Sequence, residues 1–314
     1  MLIKNSLRLL LNNLSVIFKA MLYSLVVVFL TYLLVTVVFS DIFKTISQSP
    51  EFTTLMDDLN KLWHGFISGN LSKDINLVDS FEQFMEAIRI HANDYCWSIV
   101  GLAVGVYIIT LLNNICAYTL TDIMNARMST YEKKGFFVSL IANLKKSLPF
   151  EALYSLLSIF GAVLSISVGA LFIVYTFTHL YLLSIVIGTW LAILFYSVYL
   201  TLTSTLRPSF VTGSTLKETF TIKYSRTDFG PILASFVVAL IVSVSINVMM
   251  FISTLGAGMV LAIPLTQLLF VLIQLVLHYS LKGQKYYVDY ETIETPNKIK
   301  QDSQNADFLD DIEV

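Results

Sequence analysis

Four stretches of the chain carry no Asp, Glu, Lys or Arg: Ala20–Ser40, Tyr95–Thr121, the 55 residues Ala152–Leu206 and the 53 residues Phe229–Leu281. A helix crossing hydrocarbon needs about 20 apolar residues. It must be a helix, or part of a closed barrel, because unpaired backbone amides are too costly in oil. The two shorter stretches each hold one crossing, and the two longer ones each hold a pair with a tight turn. The pattern therefore predicts an all-α polytopic integral membrane protein with six transmembrane helices. The spans are TM1 at 20–40, TM2 at 95–121, a TM3–TM4 hairpin at 152–206 and a TM5–TM6 hairpin at 229–281. The first apolar run exceeds the roughly 7–15 residues of a signal core and no small-residue cleavage site follows it, so it is expected to remain in place.

Between the spans the period changes. Residues 1–19 read as an amphipathic helix, with Leu7, Leu10, Leu11 and Leu14 opposed by Arg8, Asn12, Ser15 and Lys19. The loop at 122–151 holds a second, with Phe137, Ile141, Leu144 and Leu148 opposed by Ser139, Asn143 and Lys146. A third is predicted in the loop at 207–228, opening on the capping box Thr215–Glu218. The loop at 41–94 starts a helix at Ser49-Pro50-Glu51, as N-cap, first-turn proline and acid. A second helix opens at Asp79, giving a helical hairpin. The last segment, 282–314, is expected to be a disordered acidic tail: from Glu291 it holds seven acids and two lysines, a composition that buries little.

The segments SLRLLLNNLSVIFKAMLYSLV (6–26) and SLIANLKKSLPFEALYSLL (139–157) share one plan, an amphipathic helix running into a span. Aligning Leu22-Tyr23-Ser24-Leu25 with Leu153-Tyr154-Ser155-Leu156 brings Leu9 to Leu140 and Asn12 to Asn143. It also places Leu233, Ser235 and Phe236 in register, which suggests three repeated units. In layout this pattern resembles prokaryotic multi-span families, such as the membrane domain associated with glycerophosphodiester phosphodiesterases. The hydrolase attached in that family is absent here, so the resemblance implies a prokaryotic membrane protein and no residue roles.

Composition agrees: 56% of residues are hydrophobic and 13% charged, against roughly 45–50% and 25% in soluble domains. Basic residues set the orientation. Loop 41–94 has four in 54 positions, whereas 122–150 has five in 29 and 207–228 four in 22. With Lys4, Arg8 and Lys19 before the first span and Lys282 and Lys285 after the last, both termini are expected in the cytoplasm of a cell, with the protein in the plasma membrane. Cys96 and Cys116 lie twenty residues apart on one expected helix, about 30 Å at 1.5 Å per residue. That is too far for a bridge.

Candidate chemistry is sparse. Ionisable groups at membrane depth mark proton or ion paths, and the span interiors have none; Glu151 and Asp122 stand at span ends. Small residues recur at four-residue spacing: Gly101 and Gly105; Gly161, Ser165 and Gly169; Gly188 and Ala192; Ser235, Ala239, Ser243 and Asn247. Such ridges let helices approach. The polar exceptions are Asn113, Asn114, Asn247, Gln267, Gln274 and His278, which form either helix glue or a polar path between the second, fifth and sixth spans. Lys145 and Lys146, with Phe308 and Leu309 of the tail, are candidates for docking a cytoplasmic partner. No catalytic, cofactor or metal motif is present in the sequence, and no nucleic-acid surface is expected. The leading expectation is a non-enzymatic scaffold or accessory subunit of a membrane complex, with homo-oligomers allowed. The alternatives are a permease-type subunit served by an ATPase, in the manner of ABC exporters, and an integral lipid-modifying enzyme.

Overall fold

A computed structural model describes residues 2–68, 77–90, 96–215 and 226–295. Among them are nine helices: α1 (Leu2–Asn12), α2 (Leu14–Ser47), α3 (Pro50–Ser68), α4 (Leu77–Ile90), α5 (Cys96–Thr130), α6 (Phe136–Thr203), α7 (Leu206–Val211), α8 (Arg226–Thr254) and α9 (Met259–Lys282). Strands β1 (Tyr286–Tyr287) and β2 (Ile293–Glu294) pair antiparallel. Six helical segments are long and apolar enough to cross a membrane: Leu14–Leu34, Val100–Thr130, Phe136–Thr176, Leu183–Val211, Phe229–Thr254 and Met259–Lys282. The chain is a multi-pass, all-α membrane protein. Residues 216–225 of the predicted third amphipathic helix, and Phe308 and Leu309 of the tail, lie outside the described residues.

The chain divides into two compact units, Met1–Val28 with Thr110–Val314, and Phe29–Ile109. In the smaller unit α3 and α4 pair as the helical hairpin read from the sequence. Ser49 caps α3, its Oγ accepting from the Phe52 N–H at 3.2 Å. The Ser80 hydroxyl donates to Asp58 at 2.6 Å, and the Phe52 and Phe84 rings lie 5.8 Å apart. The Ser80 and Lys61 hydrogen bonds hold the Asp58 carboxyl below its usual range. A Cβ on Gly105 would collide with Leu34, whereas one on Gly101 would meet nothing within 4 Å among the described residues.

The larger unit is a bundle built around α9. In α9, 67% of the most apolar window is buried, against 17–28% in the other five spans. It runs parallel to α5, because Gln267 meets Asn113 and, twelve positions on in each helix, Tyr279 meets Asn125. Helix α8 reaches α9 through a reversal at Leu255 and Gly256, both at positive φ (52° and 92°).

Helix α6 doubles back between Thr176 and Leu183. Its arms pair outward from that reversal: Gly169 against Gly188, Gly161 against Tyr199, and Tyr199 hydrogen-bonded to Ser158 at 3.0 Å. The glycines permit this, since a Cβ on Gly169 would stand 2.6 Å from the Gly188 carbonyl oxygen.

Three connections differ from the sequence expectation. The loop expected at 122–151 shrinks to five residues, because α5 continues to Thr130 and α6 starts at Phe136. Asp122 accepts hydrogen bonds from Ser139 (2.6 Å), Asn143 (3.0 Å) and Lys134 (3.3 Å), tying the two helices side by side. In the loop expected at 207–228, residues up to Val211 form α7. The tail expected to be disordered from 282 is folded as far as 295. Gly283, at φ 65°, stops α9, and the alternating Tyr286 and Val288 bury themselves beside α1. There Asn5 donates to the Tyr286 hydroxyl at 2.8 Å, Arg8 pairs with Asp289 at 3.4 Å and Asn12 donates to the Val288 carbonyl at 3.4 Å.

The amphipathic start of α6 is turned inside out relative to a soluble helix. In α6 the stripe Ser139, Ser147, Glu151 and Ser155 is buried, while Phe137, Ile141, Leu144 and Leu148 are exposed. In α1, Asn5 and Ser6 are buried, while Leu7 and Leu11 face outward. Polar groups bond inward and apolar ones face outward, uncovered by the described residues.

Candidate functional site

The most concentrated polar chemistry lies where α5, the first arm of α6 and α7 converge. Glu151 continues the inward stripe of α6, and Arg207 is the second residue of α7. The Arg207 Nε donates to Glu151 Oε1 at 2.7 Å and its Nη2 to Oε2 at 3.0 Å, a two-point ion pair with both partners buried. The same Nη2 reaches Asn114 Oδ1 at 3.0 Å, and Asn114 Nδ2 donates to the Ser155 hydroxyl at 2.9 Å. The Tyr154 ring lies under the guanidinium, 4.6 Å from centroid to Cζ. A guanidinium suits this place because its planar fork matches a carboxylate while its face stacks on an aromatic ring.

Two further contacts fix α7. Phe150 and Phe210 stack with centroids 4.4 Å apart and planes 7° from parallel, and Tyr118 closes on both. On the other side His278 of α9 is held between Ser209 (3.4 Å) and Thr212 (3.3 Å). The arrangement is closed: each charged group is matched by an opposite charge or a hydrogen bond. Chemically it can clamp three helices together and can orient little else.

The candidates read from the sequence therefore separate into local sets. Gln267 donates to Asn113 Oδ1 at 3.2 Å, joining α9 to α5. Asn114 serves Arg207 and Ser155, and His278 serves α7. Asn247 turns back on its own helix, donating to the Ser243 carbonyl at 2.8 Å. Gln274 is buried, and its Oε1 has no hydrogen-bond partner among the described residues. Lys145 and Lys146 are exposed, with Lys146 Nζ 5.3 Å above the Phe210 ring. Among the described residues no three His, Cys, Asp or Glu side chains converge as metal ligands.

Sequence reasoning missed the Glu151–Arg207 pair, although a signal was present. These two residues border the 55-residue uncharged stretch on either side. Two spans and a turn must bring both borders to the same membrane face, so opposite charges there can meet. Scans against protein-family models, curated proteins and solved structures find no match to this chain, so its function has to be sought in its own residues.

Proposed function

We propose that the protein is a non-enzymatic membrane scaffold or accessory subunit that recruits a partner through the first turns of α6. The observation that carries this is the length and face of that helix. Its first arm, Phe136–Thr176, has 41 residues, about 60 Å at 1.5 Å per residue. Even at a steep tilt of about 40°, a hydrocarbon layer of roughly 30 Å takes up only about 26 residues. Some fifteen residues are left at or beyond the headgroups. They fall at the lysine-bearing start, because the remainder of the arm is uncharged. This projecting segment exposes Phe137, Val138, Ile141 and Leu144 beside Lys145 and Lys146. An uncovered apolar face rimmed by charge marks an interaction surface.

The basic ends of α1, α5, α6 and α9 gather at the end of the bundle that carries the β-hairpin, which supports placing both termini in the cytoplasm of a plasma-membrane protein. Closure of the Glu151–Arg207–Asn114 cluster favours a scaffold over an enzyme built on those charges.

The test is purification in gentle detergent with mass spectrometry of co-purifying proteins, for the parent and for Lys145→Glu/Lys146→Glu. A protein partner recovered with the parent and lost from the variant supports the proposal. Recovery of an ATPase would move the assignment to a permease-type subunit, and recovery of this chain alone as a homo-oligomer would overturn both.

A further inference from the structure

The clamp and the projecting helix leave one feature unused. Between α1, the end of α5 and the β-hairpin lies an open cleft of about 450 Å³, lined by Asn12, Arg127, Tyr131, Tyr290, Glu291 and Thr292 among others. Its size falls in the range of small-ligand sites, roughly 300–1,000 Å³.

Tyr131 is the unusual residue. It ends α5 at φ 59°, its N–H returning to the Arg127 carbonyl at 3.1 Å while the Glu132 N–H reaches Ala126 at 3.4 Å. This double closure of a helix end favours glycine at the left-handed position, and a tyrosine there is sterically strained. What the side chain supplies is a ring, 5.8 Å from Tyr287 and 5.5 Å from Tyr290, with the Arg127 guanidinium 5.6 Å from its centroid.

The charges sort themselves. Asp289 is committed, accepting the Glu291 and Thr292 N–H groups and the Arg8 guanidinium. Among the described residues Arg127 and Glu291 make no ion pair, so the cleft presents one uncommitted charge of each sign. Stacking on Tyr131 occupies the face of Arg127 and leaves its in-plane N–H groups free for an oxyanion. Tyrosine faces beside a carboxylate favour an ammonium.

We propose that this cleft binds a small zwitterion carrying an ammonium and a phosphate or carboxylate. The oxyanion sits on the edge of Arg127, and the ammonium lies against Tyr131, Tyr290 and Glu291. Such a ligand could come from the headgroup of an aminophospholipid or from a free solute.

The full chain in nanodiscs distinguishes these sources. One arm titrates phosphorylethanolamine by calorimetry. The other scores, by native mass spectrometry, retention of phosphatidylethanolamine against phosphatidylglycerol. Binding in the first arm assigns a free solute, and selective retention in the second assigns a lipid headgroup. Arg127→Gln and Tyr131→Gly should each weaken whichever binding is seen by about tenfold or more. Tyr131→Gly should unfold no earlier than the parent, since glycine relieves the strain at that position. If that variant fails to fold, Arg127→Gln decides alone. The proposal is overturned if neither probe binds, if phosphatidylglycerol is retained equally well, or if the folded variants bind as the parent does.

Discussion

Glu151 and Arg207 meet edge to edge, with both carboxylate oxygens engaged at 2.7 and 3.0 Å, although 56 positions separate them in the chain. Removing one partner of such a buried pair strands the other charge, at a cost of about 3–5 kcal/mol. Glu151→Gln and Arg207→Met should each lower the denaturation midpoint in detergent steeply. The double change Glu151→Leu/Arg207→Met should recover most of the loss. A double variant no more stable than the sum of the singles would show that the pair is not the clamp.

The hairpin of α6 depends on two backbones touching. Gly169→Val would drive a side chain into the Gly188 carbonyl and should cost about 1–3 kcal/mol or more, as overpacking does. Gly101→Ala, whose Cβ meets nothing within 4 Å among the described residues, should be neutral or slightly stabilising, as expected for glycine replaced inside a helix. Thermal unfolding of the two variants in the same detergent provides the comparison.

Ser24, Ser155 and Ser235 share a register and are all buried, at 4%, 0% and 9% exposure, while Leu22 and Leu153 beside the first two are 63% and 65% exposed. Leucine at any of the three serines should therefore destabilise by about 1–3 kcal/mol. Phenylalanine at Leu22 or Leu153 should change stability by no more than about 0.5 kcal/mol. Equal tolerance at both kinds of site would show that the shared register has no packing meaning.

The contact between α1 and the β-hairpin should be lost at both ends of the pH scale. Hydrogen bonds from Thr292, then from the Glu291 backbone, with the nearby Arg8, hold the Asp289 carboxyl below its usual range. Its folded state thus binds a proton less readily than its unfolded state, so this stabilisation is present at neutral pH and lost as the pH falls below about 4. Tyr286 is pushed the other way by burial. Its contribution is intact below about pH 10 and lost as the pH rises beyond it. Protection of the Val288 and Thr292 amides from hydrogen exchange, corrected for the intrinsic pH dependence of exchange, should fall in both directions, and protection that stays constant would contradict the assignment.

The spans could be read from the sequence because absence of charge is a local property that no distant contact changes. The start of α3 was legible for the same reason, since Ser49 caps its own helix. The boundaries of α5 and α6 were not, because Asp122 looks like an exit until Ser139 and Asn143 arrive from another helix to bind it. Likewise, nothing in the local sequence separates Gly101, which faces open space, from Gly105, which abuts Leu34. The strands at 286–294 were hidden by averaging: Tyr286 and Val288 alternate as a buried edge should, but they adjoin a segment with seven scattered acids between Glu291 and Val314. At the clamp, each charge was visible alone, and only the geometry of a two-span turn makes them neighbours.

The most enclosed helix of the larger unit is α9, which leaves the ribosome after the other five described spans. Until it inserts, Asn113, Asn125, Ser209 and Thr212 lack the partners that α9 brings them. Assembly of this bundle waits on α9, and a nascent chain halted before Met259 would present the cell's quality-control machinery with a row of unmet amides and hydroxyls.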